Sequence, residues 1–174
     1  MLLTKIINGD NLRMSNRIRD IFFAIHHPPI TGRQVLALSR SDAERLPLLP
    51  GVAMISIIAP GSFPAQLPDY EFLLQMSFSD VDVTFLKLTS RAKKKLATGI
   101  TKEQAVEIHA FVNGLSSEIH TLLVHCEGGF SRSCGVASAL YELYGYSVEL
   151  ERLKDANQGV KKLLVEVGQT LQGK

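Results

Sequence analysis

The sequence predicts an α/β fold: a single domain with a mostly parallel central sheet of four to five strands flanked by helices. Three observations carry this reading. Short apolar runs at Gln34–Ser39, Val52–Ile58, 71–78 and 119–124 have the length and composition of strands. Helical patterns separate them, as expected of parallel strands joined by crossover helices. All 7 prolines fall at or before Pro68, so the rest of the chain can hold long uninterrupted helices.

In chain order, Ser15 precedes Ile18, Ile21, Phe22 and Ile25, an apolar stripe at helical spacing that Pro28 and Pro29 terminate. This helix suits either an accessory element packed on the domain or an oligomer contact. Residues 1–30 therefore read as an N-terminal accessory segment and 31–174 as the main domain. Gln34–Ser39 alternates as a short strand. Ser41-Asp42-Ala43-Glu44 has the form of a capping box opening a brief helix, and the apolar strand Val52–Ile58 follows. Thr101-Lys102-Glu103-Gln104 is a second capping box, opening a helix with Ala105, Ile108, Phe111, Val112 and Leu115 on one face. From Gly135, apolar residues recur at helical spacing up to Gly145. Final helices are expected over 148–156 and 160–171. There are no repeats or low-complexity tracts.

Bulk properties narrow the function classes. A chain of 174 residues buries roughly 70% of its unfolded surface. A hydrophobic content of 45% and a charged content of 21% suit an ordinary globular protein. The net charge of +2 is too small to indicate a nucleic-acid partner. The longest apolar stretches, 21–25 and 52–59, are far too short to cross a bilayer, and the first ten residues lack a signal-peptide pattern. A cytoplasmic protein with no membrane partner is expected. Two cysteines do not make a disulfide framework. His26, His27, His109 and His120 show no metal-ligand spacing, so they read as structural, and neither a metal nor a cofactor is expected.

The most informative segment is His125-Cys126-Glu127-Gly128-Gly129-Phe130-Ser131-Arg132-Ser133. It connects a buried strand to a helix start, where unpaired amides and the positive end of the helix dipole favour an anion. The glycine pair lets the loop take up positive φ and curl its amides inward as a nest, so that Glu127, Gly128, Gly129, Phe130 and Ser131 would line a phosphate cradle. Arg132 supplies a planar fork of donors that matches two phosphate oxygens. Such surroundings favour Cys126 as a thiolate, the nucleophilic form. Ser133 can donate to that sulfur, and His125 orients the loop. The combination of His125, Gly129, Arg132 and Ser133 around a cysteine arises by chance at roughly 10⁻⁵ per cysteine.

This stretch resembles the signature loop of the cysteine-dependent protein tyrosine phosphatase superfamily, His-Cys, five residues, then Arg-Ser, in dual-specificity-like and small bacterial forms. The matching positions are His125, Cys126, Gly129, Arg132 and Ser133. The resemblance implies a phosphatase-like catalytic domain over 31–174. It also implies that Cys126 is the nucleophile forming a phosphocysteine and that Arg132 is the phosphate ligand and transition-state stabiliser. The family requires in addition an aspartic acid after an earlier strand, which protonates the leaving oxygen and then activates water. Ser79-Asp80-Val81-Asp82 follows the strand over 71–78, at the rim where loops gather over the crevice of an α/β sheet. The general acid is placed at Asp80, with Asp82 as the alternative. The interval from Asp80 to Cys126 exceeds the usual dual-specificity spacing by the stretch 85–99, which contains Arg91, Lys93, Lys94 and Lys95. Arg152 and Asn157-Gln158-Gly159 before Leu163 resemble the family's segment that packs beneath the signature loop. There Asn157 would be structural, and a helix cap fits it equally.

Two further features have two readings each. The Arg91–Lys95 cluster is a solvated face or, near the rim, an attractor of acidic phosphopeptides or polyphosphorylated ligands. Cys134 is a small buried core residue or a resolving thiol for an oxidised Cys126. The expected function is a protein phosphatase acting on phosphotyrosine, and also on phosphoserine or phosphothreonine, with a phosphorylated protein or peptide as partner. Glu127, the only charge between Cys126 and Arg132, would repel multiply phosphorylated rings. The alternatives are a phosphate-recognition module with little turnover and a phosphatase for inositol phosphate, nucleotide or RNA 5′-phosphate. A sulfurtransferase or arsenate-reducing enzyme would share the Cys-to-Arg loop.

Overall fold

The computed structural model describes residues 16–82 and 89–173, so Ser15 and part of the stretch 85–99 lie outside the described residues. Strands β1 (Gln34–Ser39), β2 (Val52–Ile58), β3 (Leu73–Ser77) and β4 (Thr121–Cys126) form a single 4-stranded parallel sheet in the order β1-β4-β2-β3. β4 is hydrogen-bonded on both sides and buried along its whole length, which is why it reads as an unbroken apolar run rather than an alternating one. It runs through His125 and Cys126, beyond the expected end at residue 124, because its neighbours continue the ladder. Ser39 stands opposite Cys126, and Ser56 opposite His125.

Successive residues of a strand point to opposite faces, so each strand supplies both cores. Leu36, Leu38, Met54 and Leu123 pack with Ile18, Ile21 and Ile25 of α1 (Asn16–His26) and with Ala43 of α2 (Arg40–Arg45). On the other face, Val35, Ile55, Leu122, Val124 and Cys126 pack against three helices. These are α4 (Lys102–Asn113), α5 (Arg132–Tyr144) and α6 (Gln158–Gln172). The short helix α3 (Ser90–Leu96) stands between β3 and α4 in the chain. Buried His109 ties α4 to α6 and α5, through the Leu164 carbonyl at 2.8 Å and the Tyr144 hydroxyl at 2.8 Å.

Several boundaries differ from expectation for local reasons. The cap of α2 is Ser39, not Ser41. As the last extended residue of β1, Ser39 accepts a hydrogen bond from the Asp42 amide at 3.1 Å. The capping box at Thr101 and Gln104 forms as expected. Leu115 is buried but lies past the end of α4. The helix expected over 148–156 is a 3₁₀ helix over Leu150–Asp155, short and without a buried residue to hold an α-helical stripe. α5 begins three positions before Gly135, at Arg132, and ends at Gly145, whose φ of 66° suits glycine at a left-handed cap.

The chain leaves adjacent strands in opposite directions at one place. β1 leads into α2 on one face, and neighbouring β4 leads into α5 on the other. Such a switch point opens a crevice beyond the carboxyl ends of the strands, where ligands of open α/β sheets bind.

α5 and α6 cross at Gly135, where a Cβ would lie 2.8 Å from the Asn157 carbonyl oxygen and 3.0 Å from Val160 Cβ. Gly135→Ala is expected to destabilise the protein by about 1–3 kcal/mol through overpacking, despite alanine's better helix propensity. Denaturant unfolding checks this, and an unchanged midpoint would refute the close approach.

Candidate functional site

The residues of the motif gather between the carboxyl end of β4 and the start of α5. Because β4 alternates, Cys126 faces the α4–α6 side while His125 faces the α1–α2 side. His125 is fully buried, and its Nε2 lies 2.7 Å from Ser56 Oγ, the residue beside it in register. Burial is the main cause that pushes its pKa down to about 4, with Arg40 and Arg132 adding in the same direction. The ring is therefore neutral at pH 7.

The turn after Cys126 is shaped by one glycine of the pair. Gly129 has φ of 79°, and a Cβ there would lie 2.4 Å from the Ser39 backbone nitrogen. The turn thus folds back across the end of β1 at a distance only glycine permits. Gly128, expected to share the positive φ, does not. A side chain there would instead meet the ring of Phe130, at 2.3 Å from Cε1, and Phe130 remains 56% exposed at the lip.

This fold of the turn brings the Gly129 N–H to Cys126 Sγ at 3.3 Å and places Ser133 Oγ 3.2 Å from the same sulfur. The sulfur lies deep, with Cys126 only 2% exposed. Ser131 precedes α5 but makes no side-chain cap; its hydroxyl donates to Asp80 Oδ1 at 2.7 Å. The amino end of a 13-residue helix is thereby left without a side-chain acceptor beside the sulfur. Arg132, 4% exposed, donates through Nη1 to the Phe78 carbonyl at 2.7 Å, and its Nε has no partner among the described residues.

The two candidate acids part company. Asp80 joins the cysteine loop, with Oδ1 accepting from Ser131 and from Asn157 Nδ2 at 2.9 Å. Asp82 accepts from the Gln158 amide at 3.0 Å, at the start of α6. Asn157 connects all three segments. Its amide donates to the Ser131 carbonyl at 3.1 Å, and its side chain caps α6 by accepting from Val160 N at 3.0 Å.

Glu127 is exposed on the α2 side of the loop, 4.0 Å from Arg40 Nη1. Arg40 also donates to the carbonyls of Phe63 and Pro64, at 3.0 Å each, and to Glu44 at 3.0 Å. The Gln66 amide and then Arg40 hold the Glu44 carboxyl below its usual range. Cys134 packs with Ala37 and Ala156, and its thiol donates to the Arg152 carbonyl at 3.2 Å. Burial, with Cys126 adding to it, pushes that thiol up to about 11.

Sequence reasoning singled out the nine-residue loop and Asp80, which the fold brings together, but missed Ser56 and Arg40. Ser56 could have been noticed as a lone hydroxyl in the apolar run Val52–Ile58. Asn157, expected to be structural or a helix cap, is the cap of α6 and in addition reaches Asp80. Arg40 carries no sequence signal, since its role depends on a distant loop.

No family model and no curated protein matches this chain. Among solved structures, the crystal structure of PTPMT1 is similar, with 16% sequence identity and a TM-score of 0.36 over 81% of this chain and 96% of that one. A score at that level carries no weight for the chemistry, which rests on the site itself. Among the described residues, no helix is long and apolar enough to cross a membrane.

His125 yields a stability prediction. Its folded pKa of about 4 lies below the ordinary 6.5, so the unfolded chain binds the proton first. Its contribution is present above pH 6.5 and is lost as the pH falls toward 4. Linkage puts that loss at up to about 3 kcal/mol. Unfolding free energies measured between those pH values should fall more steeply for the native chain than for His125→Asn. Equal slopes would contradict a neutral buried ring.

Proposed function

We propose that this chain is a cysteine-dependent phosphomonoesterase. It would hydrolyse phosphotyrosine, and also phosphoserine or phosphothreonine, in phosphoproteins through a phosphocysteine intermediate. The observation that carries this reading is the state of Arg132: a buried guanidinium whose hydrogen-bonded partner is one neutral carbonyl, with Nε unpaired and no carboxylate beside it among the described residues. A buried cation without a counter-charge is costly. An oxyanion between it and the uncapped end of α5 would satisfy both, and a sulfur stands in the same turn.

In the first step, Cys126 attacks phosphorus as a thiolate, forming S–P as the P–O ester bond breaks. Arg132 and the loop amides hold the equatorial oxygens, where charge spreads in the transition state. Asp80 delivers its proton to the leaving oxygen. Its Oδ1 is held by Ser131 and Asn157, which leaves Oδ2 for the substrate. In the second step, Asp80 accepts a proton from water, the water oxygen bonds to phosphorus, and S–P breaks. Ser133, 3.2 Å from the sulfur, donates to the departing thiolate.

Hydrolysis of a small aryl phosphate, inhibited by vanadate and abolished in Cys126→Ser, is the expected result. Asp80→Ala should lower kcat by about 10²–10⁴-fold and remove the basic limb of the kcat/KM profile. Asp82→Ala should keep that limb and lower thermal stability through the start of α6. Phosphopeptide binding without turnover would assign the loop to recognition instead, and loss of the limb in Asp82→Ala would move the acid.

A further inference from the structure

We infer that α3 is a specificity element that selects phosphopeptides with acidic residues close to the phosphorylated one; this rests on the phosphatase reading and names its substrate class. Arg91, Lys93, Lys94 and Lys95 are exposed, and none makes an ion pair among the described residues. One cation would suffice to complement the carboxyl end of so short a helix. The three consecutive lysines exceed that need and leave a positive surface without an ion-pair partner among the described residues.

That surface is fastened to the acid loop. Thr98 folds back on the helix, donating to the Lys95 carbonyl through both its amide at 3.1 Å and its hydroxyl at 3.1 Å. The Thr98 carbonyl accepts the Ser79 amide at 2.7 Å, and the two hydroxyls lie 2.7 Å apart. Ser79 immediately precedes Asp80, so a short run of hydrogen bonds connects the end of α3 to the loop that carries Asp80.

The opposite side of the loop carries the opposite sign, through exposed Glu127. A compact ring bearing several phosphates would place its second charge next to that carboxylate. An extended peptide instead spreads its charges at about 3.4 Å per residue. α3 is roughly 10 Å long, a span that about three residues of an extended peptide match. Exposed Phe130 at the lip offers such a chain an apolar contact.

The test compares a phosphotyrosine peptide flanked by several Glu and Asp with the same peptide carrying Gln and Asn. Both are assayed on the native chain and on the triple variant Lys93→Gln, Lys94→Gln, Lys95→Gln. Turnover is read as kcat and KM, and equilibrium binding is read in the Cys126→Ser background of each. The native chain should favour the acidic peptide by about tenfold at low salt, in KM and in binding rather than in kcat. The triple variant and high salt should each abolish the preference, while hydrolysis of a small aryl phosphate stays unchanged. Equal handling of the two peptides by the native chain, or a preference that the triple variant retains, overturns the inference. So does lysine-dependent sedimentation with phosphatidylserine–phosphatidylcholine vesicles in the absence of any peptide preference, which would assign the helix to a membrane surface. If no substrate is hydrolysed, the phosphatase reading fails, and the binding comparison still decides the role of α3.

Discussion

The site depends on the contact between Gly129 and the end of β1. A single added carbon would lie 2.4–2.5 Å from the backbone of Ser39 and Leu38, so the turn can cross the strand only where a side chain is absent. Given that crossing, the rest of the loop has little freedom. The Gly129 amide turns toward the sulfur, α5 begins at Arg132, and the guanidinium is carried inward to the Phe78 carbonyl, just before the loop bearing Asp80. A steric constraint between two backbones thus becomes an electrostatic arrangement around a cysteine.

That arrangement is supported from behind rather than from above. Ser131, Asp80 and Asn157 form a hydrogen-bonded triangle that joins the cysteine loop, the loop bearing Asp80 and the start of α6. Arg132 adds a second tie, through the Phe78 carbonyl. Groups held by several partners are pre-organised, and electrostatic stabilisation of a developing charge depends on that. Neutral His125 holds the strand end on the opposite face without adding a charge next to Arg132.

Much of this was legible in the residues because it is local. The strands Gln34–Ser39 and Val52–Ile58, the cap at Thr101 and the stop at Gly145 depend on short-range pattern and turn chemistry, which the chain states directly. The spacing of Cys126, Gly129, Arg132 and Ser133 singles them out in the chain, and the fold brings the Gly129 amide and the Ser133 hydroxyl to the Cys126 sulfur. What escaped depends on register or on distant partners. Ser39 became the cap of α2 because β1 ends there, and β4 extended to Cys126 because its neighbours extend. Asp80 and Asp82 sit in one short loop, and their different partners, Ser131 for the first and the Gln158 amide for the second, depend on segments far along the chain.

The tie from Asn157 to Ser131 and Asp80 also bears on how the molecule is assembled. The cysteine is synthesised well before the residue that locks its loop, and before the helix that follows that residue. Parallel pairing already demands that distant segments meet before any reward is collected, which slows folding. A chain ending short of Asn157 would lack both the backbone tie to Ser131 and the side-chain tie to Asp80, so the turn that carries Cys126 is secured only once the start of α6 has been made.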